Sequence, residues 1–341
     1  MNSSRREPDF NNLLRVLRRE VPARPTLFEF ALNNRLFERA HNAPCPPGGG
    51  LVGWWRYVAR AFGLLGYDYA AVPGSTFAFP RKERHRESSV SLNEAPSIID
   101  RASFDAFAWP DPRTADNSML DQVSADMPRG MRLIVTGPGG VLENVIALAG
   151  YDNLCLLLTD DPQLVADIFE AVGSRLVEYY RHCAPHPAIG ACVSNDDWGF
   201  KTQTMLSTDD LRRYVFPWHQ RIVDVIHAAG KPVILHSCGN LTTVFDDIID
   251  LMKYDGKHSY EDTIVPVEDA YRRWGQRIAI IGGIDVDFLC RSSVEDIRQR
   301  ARKLLDLTAA RGGYALGSGN SIPMYVPDDN YFAMIGPALE G

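Results

Sequence analysis

The sequence predicts an α/β fold, a (β/α)8 TIM barrel forming a single domain over residues 1–341, with an N-terminal helical extension and a long excursion after the second strand. Three observations predict it. Short apolar, β-branched runs recur along the chain, about eight in all, and each is bounded by turn residues. Longer amphipathic stretches separate them, as parallel strands require, because a parallel pair needs a crossover of a dozen residues or more. The length of 341 residues exceeds an ordinary single core, but barrels of this class often pass 250 residues as one domain.

The elements follow in order. TLFEF (26–30) reads as the first strand and FALNNRLFERA after it as a helix. GWWRYVARAFGLLG (53–66) is amphipathic, and Gly66 stops it before a second strand in YDYAAV (67–72). Residues 73 to about 115 lack sustained periodicity, which makes them the excursion, and a length of that order suggests a lid or small hairpin. RLIVT (132–136) is the third strand, and GPGG leads from it into a helix that ends at Gly150. Asp161 and Pro162 open the next helix as cap and first-turn proline. AIGACVS (188–194) is the fourth strand; Ser207 to Asp210 then cap a helix that Pro217 should kink. KPVILHSCGN (231–240) holds the fifth strand, with a helix expected over 240–253. GKHS (256–259), RIAIIG (277–282) and GYALGSGN (313–320) supply the last three strands. Ser293 and Asp296 cap the helix before the eighth, and PDDNYFAMIG ends in a short helix. No internal repeat is visible.

Composition narrows the function. Hydrophobic content of 45% and charged content of 23% are ordinary for a globular protein, and a formal net charge of −7 argues against a nucleic-acid or anionic-membrane surface. The basic run RKERHRE (81–87) reads as a solvated loop. MNSSRREPDF has no apolar stretch of signal-peptide length, and no run approaches a membrane span, so a cytoplasmic location is expected. The cysteines, 6 in number, are too scattered for a disulfide scaffold and read as buried thiols or ligands.

In such a barrel the working residues lie at the carboxyl ends of strands. Those ends offer Glu29, Asp196 and Asp197, His236 and Cys238, His258 and Glu261, Asp285, Ser318 and Asn320. His236 and Cys238 are two apart in extended backbone, so their side chains leave one face together, as two ligands of a metal ion would. The helix expected after Gly239 should favour the thiolate of Cys238. A strand-end histidine beside an inert buried cysteine is the plainer reading. GPGG and GSGNS read as tight turns, lacking the residues of a phosphate loop.

GPGGVLENVIALAGYDNL, NDDWGFKTQTMLS, GKPVILHSCGN, KHSYED, IAIIGGIDVDFL and GYALGSGNSIPMYVPDDNYFAM resemble, in the same order, the uroporphyrinogen decarboxylase superfamily over about residues 130–336. The motifs are most similar to its zinc-dependent, corrinoid-linked methyltransferase branch. That resemblance implies a zinc held by His236, Cys238 and Glu261. The family's further cysteine ligand is replaced here by Ser318. His258 and Asp197 are substitute ligands or catalytic groups with Glu261, and Glu29, Asp196, Asp285, Ser318 and Asn320 are candidate substrate contacts, though capping and packing explain several of them equally well. The resemblance also implies a cobalamin or other corrinoid on a partner protein and a small thiol, ether or amine as methyl donor or acceptor; homodimer formation stays open. The decarboxylase branch implies an arginine-rich clamp near the first strand, where FEFALNN stands, and an aspartate after the second, where VPGS stands. Porphyrinogen decarboxylation is thus the runner-up, followed by a non-catalytic corrinoid-binding module.

Overall fold

The computed structural model describes residues 6–81, 92–93 and 95–340. Most of the basic run 81–87 and the first residues of the chain therefore lie outside the described residues. The strands are Tyr69–Pro73 (β1), Arg132–Thr136 (β2), Ile189–Asn195 (β3), Val233–His236 (β4), Gly256–His258 (β5), Ala279–Ile281 (β6) and Tyr314–Ala315 (β7). They form one parallel sheet in chain order. Register sets His236 beside Asn195 on one side and His258 on the other.

TLFEF departs from expectation. It makes an isolated parallel bridge, Leu27 to Leu316, next to β7 instead of a full strand. On its other side the Tyr69 hydroxyl of β1 donates to the Glu29 carbonyl at 2.6 Å and accepts from the Glu29 amide at 2.7 Å. A side chain thus satisfies the main-chain groups that a strand ladder would have used. Phe28 stacks on Tyr69 with ring centroids 5.3 Å apart. The sheet is therefore curled, its first and last strands sharing this segment as a neighbour, with seven strands rather than eight among the described residues.

Ahead of the sheet the chain forms a short helix, Asn11–Leu17. In the helix Pro162–Cys183, Asp161 accepts the Leu164 amide and Pro162 stands in the first turn. Two tyrosines on this helix tether strand ends. The Tyr179 hydroxyl donates to the Thr136 carbonyl at 2.7 Å and accepts from the Gly74 amide at 2.6 Å, while the Tyr180 hydroxyl donates to the Val193 carbonyl at 2.7 Å. Their burial fixes the exits of β1, β2 and β3 relative to one another.

Pro217 acts as read, but as a bulge: a π-turn over Leu211–Val215 precedes the helix Phe216–Ala228, because the proline has no N–H to give the preceding turn. The helix expected over 240–253 forms over 242–251 but is irregular, running from a 3-10 turn, Thr242–Val244, into a π-turn, Asp247–Leu251. Ser293 caps the helix Val294–Ala309 through the Asp296 amide, and the last helix, Asp328–Glu340, is longer than the sequence suggested. No single helix among the described residues is long and apolar enough to cross a membrane.

Candidate metal centre

Three ligand atoms, one each from Asp197, His236 and Cys238, lie within 4.8 Å of one another at the carboxyl edge of the sheet. Extended backbone through β4 projects His236 and Cys238 together, as the sequence implied, and leaves Cys238 Sγ 3.8 Å from His236 Nε2. Asp197 comes from the loop after β3. Its Oδ1 accepts the Cys238 amide at 2.8 Å. Among the described residues Glu261 is not one of the converging acids. It lines a neighbouring polar cavity with Asp285 and Asn320.

The surroundings prepare this group. Two donors, Ser259 Oγ and Asn320 Nδ2, reach Cys238 Sγ at 3.3 Å each. His236 is stacked on Phe30 at 4.2 Å, and its Nδ1 lies 2.8 Å from His258 Nδ1. Burial pushes His236 down to about 3, with Lys257 adding to the effect, so the imidazole is neutral and able to ligate. Burial, joined by the nearby Asp197 carboxylate, raises the Cys238 thiol to about 12. The thiolate expected from a following helix is therefore not favoured without a cation, since burial and the Asp197 carboxylate outweigh the short helical turns after Gly239.

Lys257, on β5, was not foreseen. It is buried, donates to the Ser259 carbonyl and lies 4.3 Å over the Tyr260 ring. Burial lowers it to about 8 against the pull of Cys238, Asp197 and Glu261. A lysine beside His258 in the short strand GKHS is the available signal.

Several acids expected at the site are engaged elsewhere. Asp196 accepts the Leu142 and Glu143 amides at 2.8 and 2.9 Å, capping the helix Val141–Ala149, and its Oδ2 is 2.8 Å from His219 Nε2. Asp285 accepts the amides of Asp262, Asp287 and Phe288. Glu29 is fully buried; its oxygens meet the Ser318 amide and hydroxyl at 2.7 and 2.6 Å, and burial lifts it to about 8. Glu29 and Ser318 thus satisfy each other. Glu143, held by the Gly140 amide and Asn195, is raised by burial and by Asp196 and Asp197.

A cavity of about 820 Å³ opens beside Asp197, walled by Phe77, Phe79, Tyr179, Phe200 and Met205 and carrying Glu143. It can hold an organic molecule with an apolar body against Asp197, one of the three candidate ligands. One nitrogen, one sulfur and one carboxylate oxygen are a zinc-type donor set, and three protein ligands leave a fourth, open position. The residues present fit that ion.

The sequence profile of uroporphyrinogen decarboxylase (URO-D) matches residues 126–338, more than half of the chain. A uroporphyrinogen decarboxylase of Anaeromyxobacter dehalogenans is 25% identical over 242 residues, covering 69% of this chain and 67% of that protein. One from Geobacter sulfurreducens is 27% identical over 140 residues, 41% of this chain, which spans only 38% of that relative's length. A solved methyltransferase from Methanosarcina mazei superposes with a TM-score of 0.72 over 96% of this chain and 97% of its own at 16% identity, a likeness of fold. With a match of that extent, the chain belongs to the uroporphyrinogen decarboxylase (URO-D) family.

Proposed function

We propose that this protein is a zinc-dependent methyltransferase that moves a methyl group between a corrinoid on a partner protein and a small thiol, ether or amine. One observation carries the reading: Asp197, His236 and Cys238 converge beside a cavity of substrate size. Those residues would hold the metal. Bound there, zinc supplies Lewis acidity, which favours the thiolate of a substrate thiol or polarises a heteroatom bearing methyl. The chain's own groups do the rest. Ser259 and Asn320 stabilise the sulfur of Cys238 as an anion by donating to it. Lys257 offsets the negative charge of Cys238 and Asp197, and the aromatic cavity holds the substrate body away from water. Asp196, Asp285, Glu29 and Ser318 serve the scaffold.

The test is elemental analysis joined to a transfer assay with methylcobalamin and a panel of thiols. About one zinc per chain, lost together with transfer in His236→Ala and Cys238→Ala, supports the proposal. A protein that neither takes up zinc nor transfers methyl sinks it. The family match favours porphyrinogen decarboxylation as the second reading. It would appear as carbon dioxide release that persists after chelation. Against it, the segment where carboxylates would be clamped presents Glu29, an acid already closed on Ser318.

A further inference from the structure

We infer that His258 is a positioning residue that fixes the tautomer of His236, so that the bare Nε2 of His236 faces Cys238 and the ion; this rests on the metal-centre reading above. The relay begins at a group with no proton to give. The Ser318 carbonyl can only accept, and His258 Nε2 lies 3.2 Å from it, so the hydrogen of His258 sits on Nε2. His258 is fully buried against Phe28, and among the described residues its ring nitrogens meet only His236 and the Ser318 carbonyl, with no carboxylate to pair a charged ring, so an imidazolium there would bear a large desolvation cost. It is therefore neutral, and its Nδ1 carries a lone pair. That lone pair is 2.8 Å from His236 Nδ1. Two lone pairs facing at this distance would repel, so His236 carries its hydrogen on Nδ1. Its Nε2 is left unprotonated, 3.8 Å from Cys238 Sγ.

The rings cannot turn to escape this arrangement. Phe30 lies flat on His236, at 13° and 4.2 Å, and Phe28 abuts His258 at 5.1 Å. Gly282 leaves the room that the relay occupies: a Cβ there would run into the Ser318 carbonyl and come within 3.0 Å of His258 Nε2. A metal-binding histidine commonly gives its second N–H to a carboxylate or carbonyl. Here a second imidazole is interposed, and the signal travels from a main-chain carbonyl across two rings.

The experiment is long-range 1H–15N correlation of the imidazole nitrogens in the metal-free, full-length chain near neutral pH, together with zinc titration. The expected spectrum shows His236 protonated on Nδ1 and His258 on Nε2. Protonation of His236 on Nε2 overturns the relay. His258→Leu should weaken zinc binding about 10- to 100-fold, the range typical for loss of such a supporting partner. His258→Gln should restore it to within about threefold of the parent, because its amide can accept from His236 and donate to Ser318. His258→Leu binding zinc as tightly as the parent also overturns the proposal. Should His258→Leu fail to fold, the parent spectrum decides. Should the parent take up no zinc, the metal-centre reading fails while the spectrum still tests the tautomer.

Discussion

Asp196 and Asp197 are consecutive residues that face opposite ways: Asp196 closes on the amides of Leu142 and Glu143, and Asp197 on the amide of Cys238. Extended backbone at the exit of β3 imposes the alternation. One acid therefore holds the scaffold and the other joins the candidate ligands.

Asp197→Asn should consequently weaken zinc binding by about tenfold or more, whereas Glu261→Gln should change it by less than about threefold, since Glu261 lies outside the converging group. Competition titration with a chromophoric chelator reads both. Equal losses would return Glu261 to the ligand set.

Asp196→Ala should behave differently. It strips the buried partner from His219 and from two helix amides, a loss of about 1–3 kcal/mol for each buried group left without its hydrogen bond. Urea unfolding measures it, through a lower midpoint with an unchanged slope.

Glu29 predicts a pH dependence. Burial raises its carboxyl from 4.5 to about 8, so between those values the folded chain binds a proton that the unfolded chain has lost. The contribution is fully present below the unfolded value and is lost as pH rises through the folded one, at no more than about 1.4 kcal/mol per pH unit. Glu29→Gln should remove that slope. Unfolding midpoints measured from pH 5 to pH 8 for both proteins check it; parallel profiles would refute it.

Gly239→Ala tests the loop geometry. Gly239 has φ of +86° and no space for a Cβ against the Gly199 backbone. A methyl group there should cost about 1–3 kcal/mol through the backbone angle alone and part Cys238 from Asp197. The expected result is a lower melting temperature and lost zinc affinity. An unchanged zinc affinity would show that the two ligands do not depend on this contact.

Much of this was legible in the chain, and the failures have physical causes. The strands VIL before His236 and RLIVT carry their periodicity locally, so they were readable. The pairing of His236 with Cys238 follows from extended geometry alone. TLFEF was misjudged because its partner on one side is a tyrosine hydroxyl, which no periodicity records. The sequence offers Asp197 as a catalytic group or a substitute ligand without choosing between them, since the Cys238 amide that holds it lies in another loop. Ser318 carries a family-derived expectation, but its contact with Glu29, 289 positions away, is a tertiary fact.

The approach of Gly199 to Gly239 has one more consequence. The loops after β3 and β4 are riveted together, with the Asn240 amide donating to the Phe200 carbonyl at 2.8 Å, so the ligands they carry are spaced by main chain instead of by side-chain choice. The proposed seat for an ion is thus set by main-chain contacts. Loading should then resemble filling a socket, with far-ultraviolet dichroism unchanged between the stripped and the charged protein, unlike small domains that fold only around their metal.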